Sequence, residues 1–254
     1  MVFLILLAFV VIVFTVDAIV KFSRKAASKT STISTIPTRV FNETSVLIPK
    51  GIYFDKTHTW AFMEKSGVVK IGIDDFLLHI TGPLNRVNLK NPGEKVRKGE
   101  PALTIMQNGK QLNISSPISG KIKSRNIELL VDSSAINSSP FQDGWIYTIE
   151  PTNWTRELQF LIMAEPYTAW LKKEFSRFKD FLANNRFVGN PELTPIILQD
   201  GGELKDNILE DFGPEVWEEF QTKYINNSNC HYKIDRKLVK KESIHPSEDI
   251  YGAI

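Results

Sequence analysis

The hydrophobic pattern changes character several times along the chain. Val2 to Val20 is apolar apart from Thr15 and Asp17. At ~1.5 Å per residue, a helix of this length approaches the ~30 Å hydrocarbon core of a bilayer. Helical geometry also lets such a span satisfy its own backbone groups. Between Ala26 and Ile36, Ser and Thr replace any apolar period, which predicts a flexible tether. From Gly51 to Pro151 short apolar runs, often alternating, are broken by Gly, Pro and Asn. Thr59 to Met63 and Gly67 to Ile73 predict strands about a turn at Lys65–Gly67, and Asp74 to His79 predicts a short helix capped by Asp74. Leu103 to Met106, Gln111 to Ile114 and Gly120 to Ile122 predict further strands, with Asn108-Gly109 between two of them as a type I′ hairpin turn.

After Trp154 the period becomes helical: Leu158, Leu161 and Ile162, then Trp170, Leu171, Phe175, Phe178, Phe181 and Leu182. Pro166 separates a short helix from a longer one. Beyond a turn-rich break at Asn190–Pro195, helices are predicted over Leu204–Phe212 and Pro214–Ile225. The second carries an apolar stripe whose Trp217, Phe220 and Tyr224 are candidate partner-binding residues. The organisation expected is an anchor at 1–20, a basic Ser/Thr-rich tether at 21–50, a β-rich domain with a helical end at 51–182, an α-helical extension at 183–230 and a tail at 231–254.

Composition narrows the function classes. In 254 residues, 42% hydrophobic and 24% charged positions exclude a disordered polymer. A net charge of +2 gives no electrostatic reason to expect nucleic acid. Cys230, the one cysteine, excludes an internal disulfide and a cysteine-rich metal centre. Cys230-His231 does not make a nucleophile pair, because neighbours on a strand point apart. The chain has no phosphate-cradling glycine loop, no nucleophile–base–acid set and no metal-ligand spacing, so neither an enzyme nor a small-molecule substrate is expected.

Charge distribution is more informative. Lys21 to Lys50 holds six basic residues against Glu43, whereas Asp200 to Glu219 holds eight acidic residues against Lys205. Val16-Asp17-Ala18 resembles a signal-peptidase site, but no basic residue precedes the apolar run, and Lys21, Arg24 and Lys25 follow it. That asymmetry predicts a single-pass membrane anchor contacting lipid through residues 1–20, with the body on the cytoplasmic side.

The motifs His58-Thr59-Trp60, Gly72-Ile73-Asp74, the Gly93…Val96…Gly99 corner, Ser116-Pro117-Ile118-Ser119-Gly120, Ile136 to Phe141 and Gly144-Trp145-Ile146 follow one another in order. Together they resemble the H-protein family of the glycine cleavage system. The resemblance implies a small hammerhead β-barrel or sandwich of lipoyl-domain type; with the C-terminal α-helices and the N-terminal transmembrane helix read from the apolar pattern, the expected fold class is α+β. The resemblance also implies a lipoyl arm on one lysine at a hairpin tip, carrying a methylamine group between enzymes. In the family that lysine stands eight residues before the proline of the next corner; counted back from Pro117, the position is Gly109. Lys110 lies one place later, and Met106, Gln107 and Asn108 supply none of the acidity the family places before its lysine.

Two readings stay open. In one, Asn108 and Gly109 form a turn that replaces the carrier lysine, no cofactor is carried, and the protein docks other subunits of a membrane-associated complex. In the other, the hairpin is re-registered and Lys110 projects from the tip as the attachment point for lipoate. His58 and Trp60 are expected in the core, with the imidazole hydrogen-bonded.

Overall fold

Period-two alternation in the middle of the chain becomes two antiparallel sheets. The computed structural model describes residues 40–184 and 204–226. The larger sheet contains β2 (Tyr53–Asp55), β3 (Thr59–Met63), β4 (Val69–Ile73), β6 (Lys95–Val96), β9 (Gly120–Arg125) and β10 (Tyr147–Pro151), in the order β2-β3-β4-β10-β9-β6. The smaller sheet contains β5 (Arg86–Leu89), β7 (Pro101–Gln107) and β8 (Lys110–Ser115), in the order β5-β7-β8. Alternation decides which side chains are buried: on β9, Gly120 and Ile122 are buried while Lys121 and Lys123 face water. Inward residues of both sheets, among them Ile71, Ile149, Ile105 and Leu112, share one apolar core. Tyr147 crosses between the sheets, donating to the Ala102 carbonyl at 3.1 Å and accepting the Lys90 N–H at 2.7 Å.

Two local features follow directly from sequence. Helix α1 (Asp75–Thr81) begins where Asp74 accepts the Leu77 N–H at 2.9 Å. Trp60 pairs with Gly72 across β3 and β4, and a Cβ at Gly72 would meet the indole at 2.5 Å. Glycine at 72 is therefore the space that admits the tryptophan. Next come α2 (Ser134–Ser138), α3 (Trp154–Leu158) and the long α4 (Ala164–Asn184), whose first turn contains Pro166. The break between α3 and α4 accordingly precedes the proline rather than falling on it.

Two expected boundaries move. The tether cannot extend to residue 50, because β1 (Val40–Phe41) pairs with β11 (Leu204–Lys205) and Phe41 is buried against Phe76, His79 and Phe175. The helix expected over Leu204–Phe212 is instead β11, a left-handed Asn207 and a 3-10 turn, Ile208–Asp211. The helix from Pro214 is present as α5 (Pro214–Glu219) and continues as a π-helical turn, Phe220–Ile225. Residues 1–39, 185–203 and 227–254 lie outside the described residues, and with them the anchor, the rest of the tether and the tail. Among the described residues no helix is long and apolar enough to cross a membrane.

Candidate functional site

The hairpin that the family uses for its arm is formed by β7 and β8. Asn108 (φ 48°) and Gly109 (φ 83°) both take positive φ, as a type I′ turn requires, and Gln107 pairs with Lys110 to close it. The Asn108 N–H donates to Asn85 Oδ1 at 2.7 Å, and Gln107 Nε2 donates to the carbonyls of Thr81 and Pro83. These bonds fix the tip from the side of β5 and α1. A Cβ at Gly109 would have nothing within 4 Å, so the apex is open space with no side chain in it.

Lys110 does not project from the tip. It is buried, and its Nζ donates to the carbonyls of Glu210 at 2.8 Å, Phe212 at 3.2 Å and Leu209 at 3.4 Å. These carbonyls belong to the end of the 3-10 turn, where that of Leu209 also accepts the Phe212 N–H, so an ammonium there acts as a cap. Nζ also lies 5.2 Å from the centre of the Trp217 ring. Burial lowers the pKa of this lysine, against the opposing pull of Glu210 and Asp211. Three donors meet three acceptors, which leaves no free amine to acylate.

The C-terminal segment reaches this lysine because further side chains clip it down. Strand β8 is an edge, and Gln221 completes it as another strand would: the Asn113 N–H donates to Gln221 Oε1 at 2.6 Å, and Gln221 Nε2 donates to the Asn113 carbonyl at 3.3 Å. His79 holds Asp206 through Nδ1 at 2.7 Å and Asp75 through Nε2 at 3.4 Å. Partial burial works against the charged imidazole, but the two carboxylates outweigh it and raise its pKa to about 9.

The expected partner-facing stripe is thus an internal one. Trp217, Phe220 and Tyr224 are 1%, 0% and 1% exposed. The Trp217 indole donates to the Leu209 carbonyl at 2.8 Å, and Phe220 and Tyr224 pack on Phe178 and Phe181 of α4. Helical spacing identified the apolar face correctly; its partner is the chain's own α4 and hairpin, so these residues offer nothing to another subunit.

A second polar cluster lies beneath this segment. His58, with φ 61° in the turn between β2 and β3, is fully buried and shares its ring nitrogens between Asp74 Oδ2 at 3.0 Å and Glu174 Oε1 at 3.2 Å. The Tyr167 hydroxyl donates to Asp74, and Arg177 pairs with Glu174 and donates to the Tyr224 carbonyl. Burial alone would depress the imidazole, but Asp74 and Glu174 outweigh it and raise His58 to about 9. Burial would likewise raise Glu174, yet His58 and Arg177 bring it down to about 2. The result is a four-charge network in which His58, Asp74 and Glu174 are buried and only Arg177 reaches solvent, so His58 is structural. The expected buried positions of His58 and Trp60 are observed. Glu174, Arg177, Asp206 and Gln221 were not singled out by sequence, and the one available signal was the Glu-x-x-Arg spacing on α4.

A two-sheet sandwich presenting one tight hairpin, with helices after the last strand, is the architecture of a swinging-arm carrier domain. Comparison with known proteins agrees. The model of the family "Glycine cleavage H-protein" matches residues 52–174. Glycine cleavage system H protein 2 of Aquifex aeolicus is 31% identical over 52% of this chain and 82% of its own length. The probable glycine cleavage system H protein of Pyrococcus abyssi is 33% identical over 49% of this chain and 92% of its own. That of Methylococcus capsulatus is 32% identical over 47% and 93%. The chain belongs to the glycine cleavage H-protein family, with roughly half of its length lying outside the shared region.

Proposed function

We propose that this protein is a non-catalytic, membrane-anchored member of the H-protein family that docks other subunits of a membrane-associated complex and carries no lipoyl arm. The observation supporting this reading is the hairpin: a glycine at the carrier position, and the neighbouring amine spent on three backbone carbonyls. A carrier domain without its arm retains a rigid surface shaped for protein partners, and the extension over the hairpin adds a surface of its own. Membrane attachment rests on the apolar run Val2–Val20 and the basic residues after it.

The carrier alternative, with lipoate on Lys110, has family membership in its favour. It requires Lys110 to leave its three acceptors and cross the face it shares with Trp217. Sizing of the native protein in mild detergent tests the docking reading. The expected result is co-migration with other subunits from the membrane fraction; a free monomer in an alkali-extractable fraction would overturn both the docking and the anchoring. A reporter fused at the C-terminus is expected to be active only in the cytoplasm.

A further inference from the structure

Beside the hairpin apex lies a cleft of about 430 Å³, large enough for an amino-acid side chain or a chain terminus. Strand register builds its floor. Arg86 on β5, Met106 on β7 and Gln111 on β8 stand directly opposite one another on the outward face of the small sheet. Asn85, Asn108 and Gly109 complete the lining. Gly109 contributes no side chain, so its backbone is open to a ligand. Lys110 borders the cleft as well, but its ammonium is spent on the C-terminal segment.

The lining holds unspent donors. Among the described residues Arg86 makes no ion pair, and the side-chain amides of Asn108 and Gln111 make no hydrogen bond. Asn85 accepts the Asn108 N–H through Oδ1, which leaves its Nδ2 to donate. A guanidinium offers five N–H groups and no acceptor, so donors outnumber acceptors in the cleft. Two coplanar oxygens match the guanidinium fork, and the flanking amides are left to fix whatever carries them. The outward face of the small sheet bears no carboxylate of its own. Glu128 and Asp132 lie on the turn that packs against β5, with Asp132 accepting the Ser134 N–H, and Glu210 and Asp211 lie beside Lys110. Their repulsion means that directed hydrogen bonds, not net field, must select the ligand. We infer that the cleft seats a carboxylate of a partner polypeptide, held by Arg86 and oriented by Asn85, Asn108 and Gln111. This rests on the docking reading above and names the chemistry by which the partner is gripped at the hairpin.

Phenylglyoxal modification of Arg86, mapped by peptide mass spectrometry on the full chain in mild detergent, reads occupancy of the cleft. The probe is an end-blocked tripeptide with a central aspartate, at constant ionic strength. At ~10 mM it is expected to slow modification about threefold, as a Kd of about 5 mM requires. The exposed Arg97 should react as before. The same tripeptide with asparagine is expected to give no protection, and Gln111→Ala should remove most of what the aspartate peptide gives. Equal protection by the asparagine peptide, or none by either, overturns the inference. Protection by acetate as strong as by the peptide assigns the cleft to small carboxylates, and protection by inorganic phosphate alone assigns it to another anion; each overturns the polypeptide partner. An unprotected Arg86 in a protein that still co-migrates with other subunits overturns this inference and leaves docking intact.

Discussion

Lys110 shows how one place in a strand register reverses the meaning of a residue. At the apex, a lysine points into open space; one position later it begins β8, and period-two geometry sends it toward the segment that covers the hairpin. Replacing it with Met keeps the stem and removes the cap. The loss of three charge-assisted bonds should cost about 1–3 kcal/mol. Hydrogen exchange is expected to accelerate across 208–226 with little change in the large sheet; unchanged exchange there would show that the amine does not hold the segment. At Gly72 the constraint is steric. A methyl group forced against the buried Trp60 indole should lower stability by about 1–3 kcal/mol, read as a drop in thermal midpoint. Gly109→Ala meets no neighbour. Its cost is the ~1 kcal/mol of a left-handed non-glycine residue, a smaller loss than at Gly72.

Among elements, helix α4 and the C-terminal segment depend on the charge state of His58. Its pKa rises from 6.5 to about 9 on folding, so its contribution is complete below about pH 6.5 and is lost as pH climbs through 9. Glu174 falls from 4.5 to about 2, so its contribution is complete above about pH 4.5 and is lost toward 2. Stability should therefore be highest between about pH 4.5 and 6.5 and decline on either side. The alkaline loss is of order 3 kcal/mol for a fully buried group at ~1.4 kcal/mol per pKa shift of one. His79 titrates over the same alkaline range through Asp206. A thermal midpoint measured from pH 5 to 10 checks this; His58→Gln should flatten part of the alkaline decline and leave the His79 share, and an unchanged slope would remove the network from the explanation.

For the whole molecule, what could be read from the sequence depended on distance along the chain. The Asn108-Gly109 turn, the Asp74 cap and the apolar stripe of α5 are written in neighbouring residues, and each is found where the pattern puts it. What covers the stripe is not local. Lys110 and Glu210 are 100 positions apart, His58 and Glu174 116 apart, and no periodicity carries such pairings. Trp217, Phe220 and Tyr224 looked like a surface for another subunit for the same reason: hydrophobic spacing marks a face to be buried without saying by whom.

The proposed absence of an arm is tested most directly on the native protein taken from its own cells. Peptide mapping by mass spectrometry over Pro101–Ser115, alongside the intact mass, is expected to show Lys110 unmodified in all the material. A lipoyl amide on Lys110 in the native protein would contradict the account, since that nitrogen cannot hold an acyl group and cap residues 209–212 together.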